Sequence, residues 1–391
     1  MMGKTLPMQP GWRSFPAMRA TLNLCSLVCL LGFPGCGDNG GGTETGSDSS
    51  GTSSSGGVVD TSSTGDETPT GEPATTGPVT STGETTGTQP GTTSTDEGTT
   101  GGESTTGDET TGGAIDCDAV GAGPFTLEVF VSGFTGSEDL AFDGKGGLAL
   151  KRGADIVVVR ADKSETTLAM AIPPAYGTRF LADGRLLVAL PQGGAVITVD
   201  ETDVKAKFLG GLKGPNGIYP DLEGNVWVTE FGGSRLIRVA ADMSETTIVS
   251  GAAASSANGV VYDPLRGFVF YTNYQSGQIR RVAIDGEGTP GSPALVTTIA
   301  DAAPDGLTLD ACGNLYVVDQ GNSVLYRVML DELGQATAPA IALASFPSNV
   351  ANAQFGVGDG FDARTLYLAG NPGDVYALAL EVPGAPIVTV Q

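Results

Sequence analysis

The chain has 391 residues, 44 acidic and 20 basic side chains, no histidine, and a formal charge of −24. That balance repels phosphate backbones and excludes a nucleic-acid partner, while the missing imidazole excludes any histidine-based mechanism. Residues 1–36 hold an apolar run, 37–115 almost lack large apolar side chains, and only 116–391, where apolar and polar residues alternate, can bury a sizeable core.

Lys4, Arg13 and Arg19 precede an apolar stretch, Ala20–Phe33, with the length and flanks of an export signal and too few residues for a membrane span. Phe33-Pro34-Gly35-Cys36 ends it and resembles a bacterial lipobox, in which a small residue precedes the cysteine that is acylated. Cys36 is therefore the candidate lipidation site, an ordinary secretory signal with an incidental cysteine being the alternative. Acyl chains there would hold an exported protein to the bacterial cell envelope, at the outer membrane or cell surface, without a spanning helix. Residues 37–115 follow as a low-complexity linker of Thr, Gly and Ser, with no aromatic side chain. Such a segment cannot offset its ordering entropy by burial, so it is expected to be disordered, with an r.m.s. span on the order of 50 Å.

From Phe125 the sequence repeats. Six apolar strands are predicted at Gly147–Leu150, Leu186–Leu190, Val226–Thr229, Phe268–Thr272, Leu315–Val318 and Leu366–Ala369. A Gly-containing turn and a further strand follow each: Asp155–Val159, Ala195–Val199, Leu236–Val239, Gln278–Ile284, Ser323–Val328 and Asp374–Leu378. A weaker strand often comes next, as at Glu245–Val249 and Ala294–Ile299. Hairpin turns without helical periodicity, at a repeat of about 38–52 residues, predict an all-β fold, a six-bladed β-propeller over 116–391. Two segments are candidates for closing the ring, Thr126–Val131 and Ile387–Val390; the first is favoured, because Val129–Asp139 matches the run that precedes the inner strand of other blades.

An Asp marks the first hairpin turn in five repeats: Asp143, Asp183, Asp221, Asp263 and Asp310. Five positions earlier stand Glu138, Thr178, Asn216, Asn258 and Asp305, just before the expected inner strands. Inner strands line the channel of a propeller, so equivalent residues converge on its mouth. Asn216-Gly217, Asn258-Gly259 and Asp305-Gly306 are also ordinary turn dipeptides. The shared register and the presence of Glu138, which is not a turn residue, favour a cation site made of Glu138, Asn216, Asn258 and Asp305. Two carboxylates and two amides form a hard oxygen set suited to Ca²⁺ first, with Mg²⁺ or Mn²⁺ as alternatives, rather than Zn²⁺.

On these motifs, nearly all of residues 125–391 resembles the gluconolactonase family, also called the regucalcin or senescence marker protein family. The resemblance implies that Glu138, Asn258 and Asp305 ligate a divalent metal, and that Asn216 completes the site or touches substrate. It implies a metal-dependent hydrolase acting on a small-molecule lactone or related ester at the channel mouth; in such a site Asp305, a carboxylate with a free oxygen that the cation would keep ionised, is the candidate general base. A non-catalytic, surface-displayed propeller that binds a protein or glycan around a structural calcium is the competing reading, and an envelope scaffold without ligand a third. Ser137-Glu138-Asp139-Leu140 also resembles the paraoxonase branch, which makes Asp139 a candidate ligand of a second metal. The basic residue that many gluconolactonases carry two positions before the middle Asn is Gly214 here. Arg179 and Tyr274 are placed near the mouth, where either serves equally well as surface or packing.

Cys25 and Cys29 fall in the signal, leaving Cys117 and Cys312. In an oxidising compartment these either pair, pinning the start of the propeller to blade five, or stand as two free thiols.

Overall fold

The computed structural model describes residues 115–391 except 118, 122 and 124. The export signal, the lipidation of Cys36 and the linker up to residue 114 lie outside the described residues. Among the described residues, six four-stranded antiparallel sheets follow one another as blades. Blade three is typical: an inner strand Pro215–Pro220, then Val226–Glu230, Arg235–Val239 and an outer Glu245–Ser250. Blade six takes three strands from residues 352–379, and its fourth is Leu127–Val131, paired with Val375–Ala379. The N-terminal candidate thus closes the ring.

The other candidate, Ile387–Val390, has a different place. The tail from Pro383 crosses beneath the blades on the side of the first hairpin turns. Ala311 donates its backbone N–H to the Pro383 carbonyl and Ala385 donates to that of Leu309, while Val390 and Gln391 donate to the Asp143 and Ala182 carbonyls. Ala385 packs beside Leu307 and Leu309, and Val390 beside Phe180 and Leu186. The tail therefore straps blades five, six, one and two together at the end of the channel opposite the expected site.

The six apolar runs read as inner strands are the second strand of each blade. Their side chains are buried because neighbouring blades cover both faces, as in Val226–Glu230. Blade-to-blade packing supplies the core: Trp227 of blade three stacks on Tyr262 of blade four at 5.4 Å between ring centroids. The Asp at the inner turn is the repeat's organiser. Asp221 Oδ1 accepts the Glu223 and Asn225 N–H groups, and its Oδ2 accepts the Trp227 indole N–H at 2.8 Å. One carboxylate thereby closes the turn and fixes the aromatic anchor of the next strand.

Cys117 and Cys312 form a disulfide, their Cα atoms 5.7 Å apart. It ties the segment entering the first strand to the inner turn of blade five, and Arg327 adds hydrogen bonds to the Val120 and Cys117 carbonyls.

Candidate metal centre in the channel mouth

Asn216, Asn258 and Asp305 lie on the inner strands Pro215–Pro220, Ala257–Asp263 and Pro304–Leu309, not in turns ahead of them. Each of these strands has a pairing irregularity at the Asn-Gly or Asp-Gly step, between Pro215 and Ile218, Ala257 and Val260, and Pro304 and Leu307. A bulge of this kind re-aims one side chain and frees one backbone N–H. Thr229 Oγ1 takes up the freed Gly217 N–H and donates to the Asn258 carbonyl; Thr272 Oγ1 does the same for Gly259 and the Asp305 carbonyl. These two threonines staple successive inner strands at the level of the site.

The glycines have a packing reason. A Cβ on Gly217 would strike the Asn258 carbonyl, one on Gly259 the Asp305 carbonyl, and one on Gly306 the Asn352 side chain. Inner strands of adjacent blades meet here without side chains between them, which brings their backbones into contact at the level of the site residues.

Turn hydrogen bonds define the true register. Asp143, Asp221 and Asp310 each donate their N–H to the carbonyl four residues on, and in blade two the equivalent donor is Leu181, bonded to Arg185. Asp183 sits two places further along its turn. The blade-two counterpart of Asn216 is therefore Tyr176, not Thr178, and Gly177 donates to the Asn216 carbonyl as Gly306 does to Ala351 in blade six. Around the mouth the equivalent residues are Glu138, Tyr176, Asn216, Asn258, Asp305 and Ala351.

The donor set fits a divalent cation. Asp305 is fully buried, and neither carboxylate oxygen has a hydrogen-bond partner among the described residues; Asn258 Oδ1 is likewise buried and unpaired. Leaving such atoms unmet costs about 1–3 kcal/mol each, more for a charge, so their persistence points to a ligand. Burial pushes the Glu138 carboxyl well above its usual range, helped by the charges of Asp305 and then Asp139. Asp305 is also raised well above that range, by burial first and then by Asp139. Among the described residues no three His, Cys, Asp or Glu side chains cluster as metal ligands, because this centre mixes carboxylates with amides.

Asp139 is committed elsewhere. Its Oδ1 accepts the Leu140 N–H, and its Oδ2 accepts the Thr178 N–H at 2.9 Å and the buried Arg179 guanidinium at 2.5 Å. That pairing makes it a counter-ion rather than a free second-site ligand, and it leaves Arg179 buried between the first two blades rather than on the surface. Glu138, Asp139 and Asp305 against Arg179 give three negative charges and one positive, an excess of two that one divalent cation would neutralise.

A pH effect follows. Both carboxyls titrate near 4 when unfolded and higher in the folded, metal-free chain, so the folded state holds more protons between the two values. Their contribution to stability is full at the acid end and lost as pH rises through the raised values. A bound cation cancels that loss. The rise in Tm on adding Ca²⁺ is thus expected to grow from about pH 5 to about pH 8. Thermal scans with Ca²⁺ and with chelator across that range check it.

The fold and this centre define a six-bladed β-propeller with an acidic, oxygen-lined channel mouth. The chain belongs to the SMP-30/gluconolactonase/LRE-like family, whose profile matches residues 152–370 and so spans Asn216, Asn258 and Asp305 but begins after Glu138. No curated protein matches it. Among solved structures it is similar to a gluconolactonase from Xanthomonas campestris, at 20% identity over 67% of this chain and 91% of that one, with a TM-score of 0.57. It is similar too to regucalcin from Agrobacterium tumefaciens, described as a calcium-binding protein, at 18% identity over 68% and 98% of the two chains, TM-score 0.55. A luciferin-regenerating enzyme shares 17% identity over 68% and 99%, TM-score 0.57. At these identities the likenesses show the fold.

Proposed function

We propose that the protein is a divalent-metal-dependent hydrolase of a lactone or related ester, exported and held to the bacterial cell envelope by lipid at Cys36. The observation that carries the catalytic reading is Asp305: a fully buried carboxylate with both oxygens unpaired, close enough to Glu138 to raise its carboxyl, with the unpaired Asn258 Oδ1 on the inner strand of the adjacent blade. Glu138, Asn258 and Asp305 would hold the cation, Ca²⁺ by preference for hard oxygen ligands, with Asn216 completing the set. When bound, a divalent cation supplies Lewis-acid polarisation of the acyl carbonyl.

The chain's own residues do the rest. Asp305, with a carboxylate oxygen free of protein partners, accepts the proton of a water that attacks the carbonyl carbon. The carbonyl-to-oxygen single bond then breaks, and Asp305 returns the proton to the departing alkoxide, leaving a hydroxy acid. Thr229 and Thr272 fix the backbone beneath Asn258 and Asp305, so the carboxylate is held rather than free to swing. The test is turnover of a lactone panel by the purified full chain, with and without chelator. Chelator-sensitive hydrolysis supports the reading; metal binding without hydrolysis of any lactone or ester would favour the binding-protein alternative.

The anchor has its own test. The Cys36→Ser variant is expected to leave the membrane fraction while keeping the wild-type Tm. Fractionation of cells expressing it decides, and a variant chain retained like the parent would place the anchor elsewhere.

A further inference from the structure

The inner strands of neighbouring blades are joined at the level of the site, and one joint differs from the rest. Between blades two and three Gly177 donates its N–H to the Asn216 carbonyl, and between five and six Gly306 donates to that of Ala351. Thr229 and Thr272 donate their hydroxyls across the next two joints, and Asn352 Nδ2 donates to the Glu138 carbonyl to close the ring. All five joints are neutral. In blade one the place of Thr229 belongs to Lys151: Ala149 pairs with Ala141 as Trp227 pairs with Tyr219, and Lys151 stands two residues on, as Thr229 does. Its ammonium turns to the Gly153 carbonyl of its own blade, so the joint between blades one and two has no hydroxyl staple. The buried ion pair of Arg179 and Asp139 joins them instead.

The guanidinium does not bind as a fork. Nη1 alone makes its hydrogen bonds, to Asp139 Oδ2 at 2.5 Å, the Thr178 carbonyl at 2.6 Å and the Leu140 carbonyl at 3.0 Å. The buried Nε has no partner among the described residues. Arginine selected for its shape is held through two parallel N–H groups; here it serves as a point charge. One nitrogen sits where a carboxylate and two carbonyls converge from both blades, which is the donor chemistry of a calcium site. The spacing is close to one as well. Ca²⁺–O distances run about 2.3–2.6 Å, so these oxygens need draw in by only a few tenths of an ångström. Mg²⁺, at about 2.0–2.1 Å, needs roughly double that.

We propose that Arg179 is a tethered cation filling an oxygen pocket between blades one and two that a second Ca²⁺ would otherwise occupy. The inference depends neither on hydrolysis nor on occupancy of the channel mouth. Its test is isothermal titration of Ca²⁺, carried to about 10 mM to reach sites as weak as those of extracellular modules. The chelator-treated full chain is compared with Arg179→Ala and with Arg179→Ala combined with Asp139→Asn. The expected stoichiometries are one, two and one. Thermal scans read the same exchange. In chelator, Arg179→Ala leaves Asp139 buried without its counter-ion and should melt at least about 5 °C below the parent. Ca²⁺ should then raise its Tm by more than it raises the parent's, recovering most of that difference. Arg179→Met, which fills the space with an apolar chain, should fall likewise and gain no more from Ca²⁺ than the parent does. An Arg179→Ala chain that binds no more Ca²⁺ than the parent, or a second site that survives Asp139→Asn, overturns the inference and leaves the channel-mouth centre standing. No binding by the parent, with one Asp139-dependent site in Arg179→Ala, keeps the inference and overturns that centre. Two sites in the parent would show that the guanidinium excludes nothing, and an Arg179→Ala chain that stays unfolded in Ca²⁺ would show that the ion cannot replace it; either overturns the inference.

Discussion

Asp305→Asn should destroy metal binding and hydrolysis while making the metal-free protein more stable. Asp305 is buried with both oxygens unpaired, and with no cation its charge is opposed by burial and by Asp139. An amide of the same shape removes that charge, so at neutral to alkaline pH the chelated variant should melt above the chelated parent. Each kcal/mol recovered corresponds to roughly 2–4 °C in a domain near this size. In Ca²⁺ the order reverses. Losing a charged ligand should cost more than the roughly 10–100-fold that follows loss of an outer partner of a metal site. Turnover should fall by about 10²–10⁴, the usual worth of a positioned base. Paired thermal scans and metal titrations on parent and variant check both halves. A variant less stable than the parent in chelator would mean that Asp305 has structural partners after all.

Removing the disulfide should have the second largest effect. Cys117 and Cys312 are 195 residues apart in sequence. Cross-linking so long a loop restricts the unfolded chain strongly, by about 2–5 kcal/mol in comparable domains. The bond also fixes the segment that delivers Leu127–Val131 to blade six, the strand on which ring closure depends. The Cys117→Ser, Cys312→Ser double variant is expected to lose about that much in denaturant unfolding, with the outer strand of blade six the first to lose amide protection. An unchanged midpoint would show that packing alone holds the closure.

Much of this architecture is legible in the sequence because the inner turn repeats. A turn Asp that caps two backbone N–H groups serves four of the six blades, so it recurs at a fixed distance from the site position, as Asp143, Asp221, Asp263 and Asp310 show. The same device misleads where a blade does without it. Asp183 caps only Arg185 within its own turn, and counting back from it lands on Thr178 rather than Tyr176. The Asn-Gly steps are ambiguous for a different reason. The dipeptide that favours a tight turn also suits a bulged strand where two backbones must touch, and only the neighbouring blade, through Thr229 and Thr272, decides between them. Which strand is innermost was hidden because the second strand, covered on both faces, is the more apolar. The commitment of Asp139 to Arg179 joins residues of two blades and has no local signature.

Whether a cation occupies the channel mouth is decided most directly by isothermal titration of Ca²⁺ into the chelator-treated full chain, repeated on Glu138→Gln and Asp305→Asn. One site per chain, weakened in both variants and bound with release of protons below neutral pH, is the expected result, since two carboxyls held above their usual range must ionise on binding. Equal affinity in parent and both variants, or no binding by the parent, would contradict it.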